Sequence, residues 1–341
     1  IVKYFRMVFV DGLRMEPPES MFASLAFDAA GRFDTPACVE LIRERSSVAA
    51  KQFALTTIAE ADQIVACGEH EGSMKYLALK TSTLYRNQDV IANIARMDGV
   101  SFTLAGNQSV IAKETQAIVI GETWANMVVA EFKASSLARV PLIAGSSNGL
   151  VFYDGAFKLL TGARKPYVRI LDIESGIEPF RLWATGEYLA ILYVRAGQLG
   201  YLVHHLAWDT TLCDVPYAYV LSNQIERVES LITAERAWLF ITTSTQMYCT
   251  IVDIGTRAIA THLEVSRLNT PVWMNSPERL CAIGRYLFCP TADGISRIDV
   301  TSDGTAELKT FAVVEPIARA SLHACQKTLY AAFDNRLAEI R

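Results

Sequence analysis

Charge is scarce in this chain. Of its 341 residues only 20% are charged, against 51% hydrophobic, and the net charge is −4. Such a composition is too apolar for a disordered chain. Its slight acidity gives no drive toward nucleic acid, which needs a basic face. Long apolar runs are also missing. The densest, such as Tyr188 to Val194, are strand-sized and fall short of the roughly 18–20 residues of a membrane helix, so no membrane insertion is expected. The opening IVKYFRMVFVDG meets Asp11-Gly12 too soon to read as a signal peptide. Cysteines are neither paired nor clustered: Cys38, Cys67, Cys213, Cys249, Cys281, Cys289 and Cys325 include no CxxC. An odd, scattered set argues against a disulfide framework or a zinc site. It fits buried thiols in an intracellular, cytoplasmic setting. Cys281 and Cys289 are close enough to meet across a hairpin.

Recognisable catalytic patterns are absent. There is no Gly-rich phosphate loop and no GxSxG elbow. His70, His204, His205, His262 and His323 show no metal-ligand spacing. No catalytic residue, cofactor or metal is therefore assigned. His204 and His205 would alternate across a strand, one inward and one outward, in a structural role. Glu226 and Glu229 read as a solvated loop.

What the chain does have is a repeat. LWATGEYLAILYV from Leu182, LITAERAWLFITT from Leu231, LCAIGRYLFCPT from Leu280 and LHACQKTLYAAF from Leu322 share a pattern. In each, an apolar residue stands seven positions after the leading Leu: Leu189, Trp238, Leu287 and Leu329. Each reads as strand, tight turn, strand. Weaker copies begin at Ile64, Leu104 and Leu142. The mean spacing of about 43 residues is the size of a four-stranded propeller blade. Asp-Gly or Asp-Asn pairs ending at Gly12, Gly155, Gly294 and Asn335 supply hairpin turns between the middle strands.

Several units close on an apolar residue followed by Asp: Asp172 in ILDIESG, Asp253 in IVDIGTR, Asp299 in RIDVTSD, and Trp208-Asp209 in HLAWDTT. This resembles the third-strand ending of WD-repeat blades, in degenerate form. The Trp is mostly replaced, and the usual Gly-His pair is missing. The resemblance spans about residues 60–341. It implies an all-β fold, a β-propeller of four-stranded antiparallel blades, with Asp172, Asp209, Asp253 and Asp299 as turn-stabilising acceptors.

The expected organisation is one propeller domain over 1–341, with repeated blades over 59–341. The unit from Leu322 ends after about three strands. Residues 1–58 should therefore close the ring by supplying the fourth, with 1–13 as the candidate strand, or else form an extra blade. Seven blades are expected, with eight as the alternative. CVELIRERSSVAAKQFALTTIAEA, Cys38 to Ala61, reads either as one helix or as two strands.

A rigid disc with many loops is a binding design. WD-repeat rings mostly act as interaction platforms, so the resemblance implies a non-enzymatic scaffold for other proteins, within a larger complex. The basic and aromatic segment TGARKPYVR, with Arg164, Lys165, Tyr167 and Arg169, is the candidate partner-binding loop. The alternatives are a hydrolase or lyase with its active site at the channel mouth, and a ligand-binding or secreted propeller.

Overall fold

The computed structural model describes residues 53–94, 100–106, 108–120, 127–135, 141–161, 167–217, 225–301, 304–326 and 328–341. The expectations for residues 1–52 lie outside these. The described residues form seven four-stranded antiparallel sheets. Blade 1 is β2 (Gln63–His70), β3 (Ser73–Lys80), β4 (Thr83–Arg86) and β5 (Asp89–Asn93). Blade 2 is β6 (Val100–Ala105), β7 (Gln108–Lys113), β8 (Gln116–Ile120) and β9 (Met127–Glu131). Blade 3 is β10 (Ile143–Ser146), β11 (Gly149–Tyr153), β12 (Phe157–Thr161) and β13 (Tyr167–Ile170). Blade 4 is β14 (Glu178–Thr185), β15 (Tyr188–Arg195), β16 (Gln198–His205) and β17 (Thr210–Pro216). Blade 5 is β18 (Ile225–Ile232), β19 (Arg236–Thr243), β20 (Gln246–Asp253) and β21 (Ala258–Ser266). Blade 6 is β22 (Cys281–Ile283), β23 (Tyr286–Thr291), β24 (Gly294–Val300) and β25 (Ala306–Ala312). Blade 7 takes β26 (Ser321–Cys325), β27 (Thr328–Ala332) and β28 (Arg336–Ile340) from the end of the chain and β1 (Leu55–Glu60) from before blade 1.

The first strand of each blade stands beside the first strand of the next, and together they surround a central channel. Space is tight there. A Cβ at Gly145 on β10 would lie 2.1 Å from the Leu104 carbonyl oxygen on β6, so these backbones approach only because the residue has no side chain. At the Asp-Gly turn before β24, Gly294 has φ +137°, a conformation closed to most L-residues.

Each blade is covered on both faces by its neighbours, so its strands read as near-continuous apolar runs rather than alternating ones. Between blades 4 and 5 lie Leu192, Val203, Val228, Leu239 and Ile241. Between blades 5 and 6, Trp238 and Phe240 pack with Trp273, Leu287 and Ile298. The ring closes between blades 7 and 1 through Leu337, Ala332, Tyr76 and Ala78.

The strand beside β28 is β1, with Leu55 opposite Ile340, Thr57 opposite Ala338 and Glu60 opposite Arg336. The expectation for residues 1–13 lies outside the described residues, and of the Cys38 to Ala61 segment, expected as one helix or two strands, the described part holds a strand over Leu55–Glu60. Other expectations also change. Cys281 pairs with Phe288, one residue out of register with Cys289, and both thiols are free. His204 and His205 are both buried, because covered blades have no outward face. Glu226 and Glu229 lie on β18, where Glu229 accepts a hydrogen bond from Trp183 Nε1 at 3.3 Å and burial pushes its carboxyl up. Among the described residues, no helix is long and apolar enough to cross a membrane.

Candidate interaction surface

The fourth strand of every blade is a sheet edge, and edges left flat and apolar invite pairing. Most here are blunted by charge or proline. Thus β25 carries Glu307 and Lys309, and β17 carries Asp214 and Pro216. Among the described side chains, β13, Tyr-Val-Arg-Ile, paired with β12, shows the most exposed apolar ones of any edge strand. Tyr167, Val168 and Ile170 are 61%, 51% and 65% exposed. The expected loop TGARKPYVR is therefore a strand in its second half. Arg164 and Lys165 lie outside the described residues.

Alternation puts Tyr167 and Arg169 on one face of β13 and Val168 and Ile170 on the other. The Arg169 face turns toward blade 4, where its guanidinium donates to the Leu206 carbonyl. Arg169 is thus a tie between blades rather than a free contact residue. Leu206 opens the turn between β16 and β17, and that turn displays Trp208, 71% exposed.

Trp208 is held flat. Its indole stacks on the buried His205 ring at 3.9 Å between centroids, with 6° between planes. Its backbone N–H donates to His205 Nδ1 at 3.2 Å. That makes Nδ1 the acceptor and points the Nε2 proton at Glu187 Oε2, 3.3 Å away. Tyr188 meets the imidazole edge-on. Asp209, in the left-handed region at φ +52°, follows. Its Oδ1 accepts from the Asp172 backbone N–H at 3.0 Å and faces His204 Nε2 at 3.0 Å. The second His204 nitrogen meets the Thr211 hydroxyl at 3.3 Å. Burial holds the His204 imidazole below its usual range despite Asp209.

The four aspartates occupy different places. Asp253 ends β20 and accepts from the Thr256 N–H and hydroxyl at 2.8 and 3.1 Å, which holds its carboxyl below the usual range. Asp209 closes the corresponding turn of blade 4. Asp299 lies within β24, gripped by Arg285 at 2.8 Å and faced by Arg236 of blade 5 at 3.7 Å. Asp172 does not end a third strand. It follows the fourth strand β13 and takes part through its backbone N–H. Sequence reasoning missed Val168, Ile170, His205 and Glu187 as surface-building residues. Trp208 entered it only as half of a blade ending.

The central channel holds a cavity of about 480 Å³ lined by all seven blades. Thr103, Ser146, Thr185 and Thr233 supply hydroxyls, and Glu69 is the carboxylate among the described lining residues. No second carboxylate stands with it to make an acid–base pair. Burial lowers the His323 pKa to about 4. Among the described residues, no group of three or more His, Cys, Asp or Glu could hold a metal ion.

No family model and no curated protein matches the chain. Among solved structures, it is similar to the WD40 domain of SCAP from fission yeast. That match has 10% identity, covers 82% of this chain and 84% of that one, and has a TM-score of 0.39. It is also similar to a hydrazine synthase of Kuenenia stuttgartiensis, with 11% identity, 82% and 96% coverage and a TM-score of 0.48. For the Dos1 propeller the figures are 6% identity, 85% and 94% coverage and a TM-score of 0.41. At such values the likeness supports no functional transfer, and the architecture rests on the sheets themselves. With its seven four-stranded blades and the ring closed by β1, the described part of the chain is a seven-bladed β-propeller.

Proposed function

We propose that the protein is a non-enzymatic interaction scaffold, a subunit or domain of a larger complex, and that it holds its partner on the outer edge of blade 3. One observation carries this: three exposed apolar side chains on the edge strand β13, which Arg169 ties to the turn that bears Trp208. An edge strand adds a further strand from a partner through main-chain hydrogen bonds, with flanking side chains setting specificity. Tyr and Trp are the residue types that anchor such contacts. A platform already fixed by His205 and the tie to β13 loses little freedom on binding. The free thiols among the described residues fit an intracellular setting.

The test is affinity purification from the native source of the wild type and of a Tyr167→Ser/Ile170→Ser variant, at matched melting temperatures. A partner stoichiometric with the wild type and depleted at least tenfold on the variant is the expected result. Equal recovery on both, or no partner on either, refutes the reading.

A further inference from the structure

The surroundings of Trp208 define the chemistry of what docks there, provided that the edge of blade 3 is the partner surface. The indole has one face against His205 and the other in solvent. One carboxylate stands beside the stack: Glu187 lies against the far nitrogen of His205. Asp209 is the next residue, with Oδ1 turned to His204 and to the Asp172 backbone N–H. Among the described residues Arg169 is the cation on β13, and its guanidinium is already turned onto the Leu206 carbonyl. A flat π-face with a carboxylate beside its stacking partner attracts a cation twice, through the ring quadrupole and through Glu187. Guanidinium suits it best, because it is planar and weakly hydrated.

The register of β13 adds a second constraint. A strand paired to its free edge alternates its side chains between two faces. One face is that of Tyr167 and Arg169, which turns toward the blade 4 loop bearing Trp208. The other is that of Val168 and Ile170, both exposed. We propose that blade 3 binds an extended peptide segment in which an arginine or lysine is flanked on both sides by apolar residues. The cation reaches past Arg169, whose own guanidinium is turned onto the Leu206 carbonyl, to stack on Trp208 beside Glu187, and its two neighbours cover Val168 and Ile170.

The test uses a display library of random decapeptides panned on the full chain. Selected peptides are expected to share a basic residue between two apolar ones. A selected peptide is then compared with its citrulline counterpart, which keeps the shape of arginine without its charge, by fluorescence anisotropy on unmodified protein. The neutral peptide is expected to bind about tenfold more weakly. Trp208→Ala and Glu187→Gln should erase most of that difference, and Tyr167→Ser/Ile170→Ser should abolish binding of both peptides. If selected peptides lack a basic residue, or bind equally well with citrulline, the cationic partner is refuted while the edge of blade 3 stands. If nothing is selected, or binding ignores the Tyr167 and Ile170 substitutions, the edge itself is refuted, and this inference with it.

Discussion

The ring is closed by two segments from opposite ends of the described chain, so locking them together should stabilise the whole unit. Ala54 and Arg341 exchange both backbone hydrogen bonds, at 2.8 and 3.0 Å. Because antiparallel pairs alternate, Thr57 and Ala338, three pairs on from Ala54 and Arg341 and just before the bulge at Ile58, fall at a non-hydrogen-bonded position. Their Cα atoms should then be about 4.5 Å apart, within disulfide range. A Thr57→Cys/Ala338→Cys bridge would close a loop of about 280 residues, and the chain-entropy relation gives at most about 5–6 kcal/mol. Spread over an unfolding entropy of roughly 0.6 kcal/mol/K for a unit this size, that is about 9 °C in Tm. The described native thiols interfere little, since burial holds Cys67 up at about 12 and also raises Cys213, Cys249, Cys281 and Cys289. The assay is a thermal melt of the oxidised double variant against its own reduced form. A variant that fails to oxidise while folded, or that oxidises with no rise in Tm, would refute closure by this pair.

Trp238→Ala should cost about 3–5 kcal/mol in a urea titration, because the indole is fully buried between blades 5 and 6; a loss under 1 kcal/mol contradicts that packing. Gly145→Ala should lower Tm sharply, as its Cβ would sit 2.1 Å from a backbone oxygen of blade 2, and a wild-type melt would show the inner strands less closely placed. Asp299→Ala should cost about 1–3 kcal/mol by leaving Arg285 and the half-buried Arg236 without their carboxylate; an unchanged urea midpoint contradicts the tie between blades 5 and 6. Stability should also fall on acidification. His262 and His323 have pKa values lowered to about 4 by burial, against about 6.5 unfolded. Between those values the unfolded chain binds the protons that the folded one refuses. The loss therefore begins near pH 6.5 and is complete near pH 4, at most about 3 kcal/mol for each histidine and less where water reaches the ring. Replacing both with Gln should flatten that slope, and a slope unchanged in the double variant refutes the assignment.

Much of the fold is legible because blade repetition writes itself as spacing. Leu182, Leu231 and Leu322 fall within β14, β18 and β26, and Leu280 precedes β22. The turns at Gly186-Glu187 and Asp293-Gly294 mark hairpins through their local backbone needs. The closing strand is illegible for a physical reason. LTTIAE is mostly exposed, so it carries almost no apolar pattern, and its partner lies at the other end of the chain. The surface is hidden for a related reason. YVRI looks like any short apolar strand, and only the neighbouring blades decide which of its side chains are covered. The same coverage buries His204 and His205 together, which alternation along one strand cannot reveal. Arg169 reads as a contact residue in sequence because its carbonyl partner, at Leu206, lies 37 residues away.

The most direct test of blade 3 as the partner surface is site-specific photo-crosslinking in the native cell. A photoreactive residue would replace Trp208 or Ile170, with Val90 on the outer strand of blade 1 as the exposed control. A discrete crosslinked partner at 208 and 170, and none at 90, is the expected result. Equal labelling at all three positions, or a specific partner captured only at Val90, would contradict it.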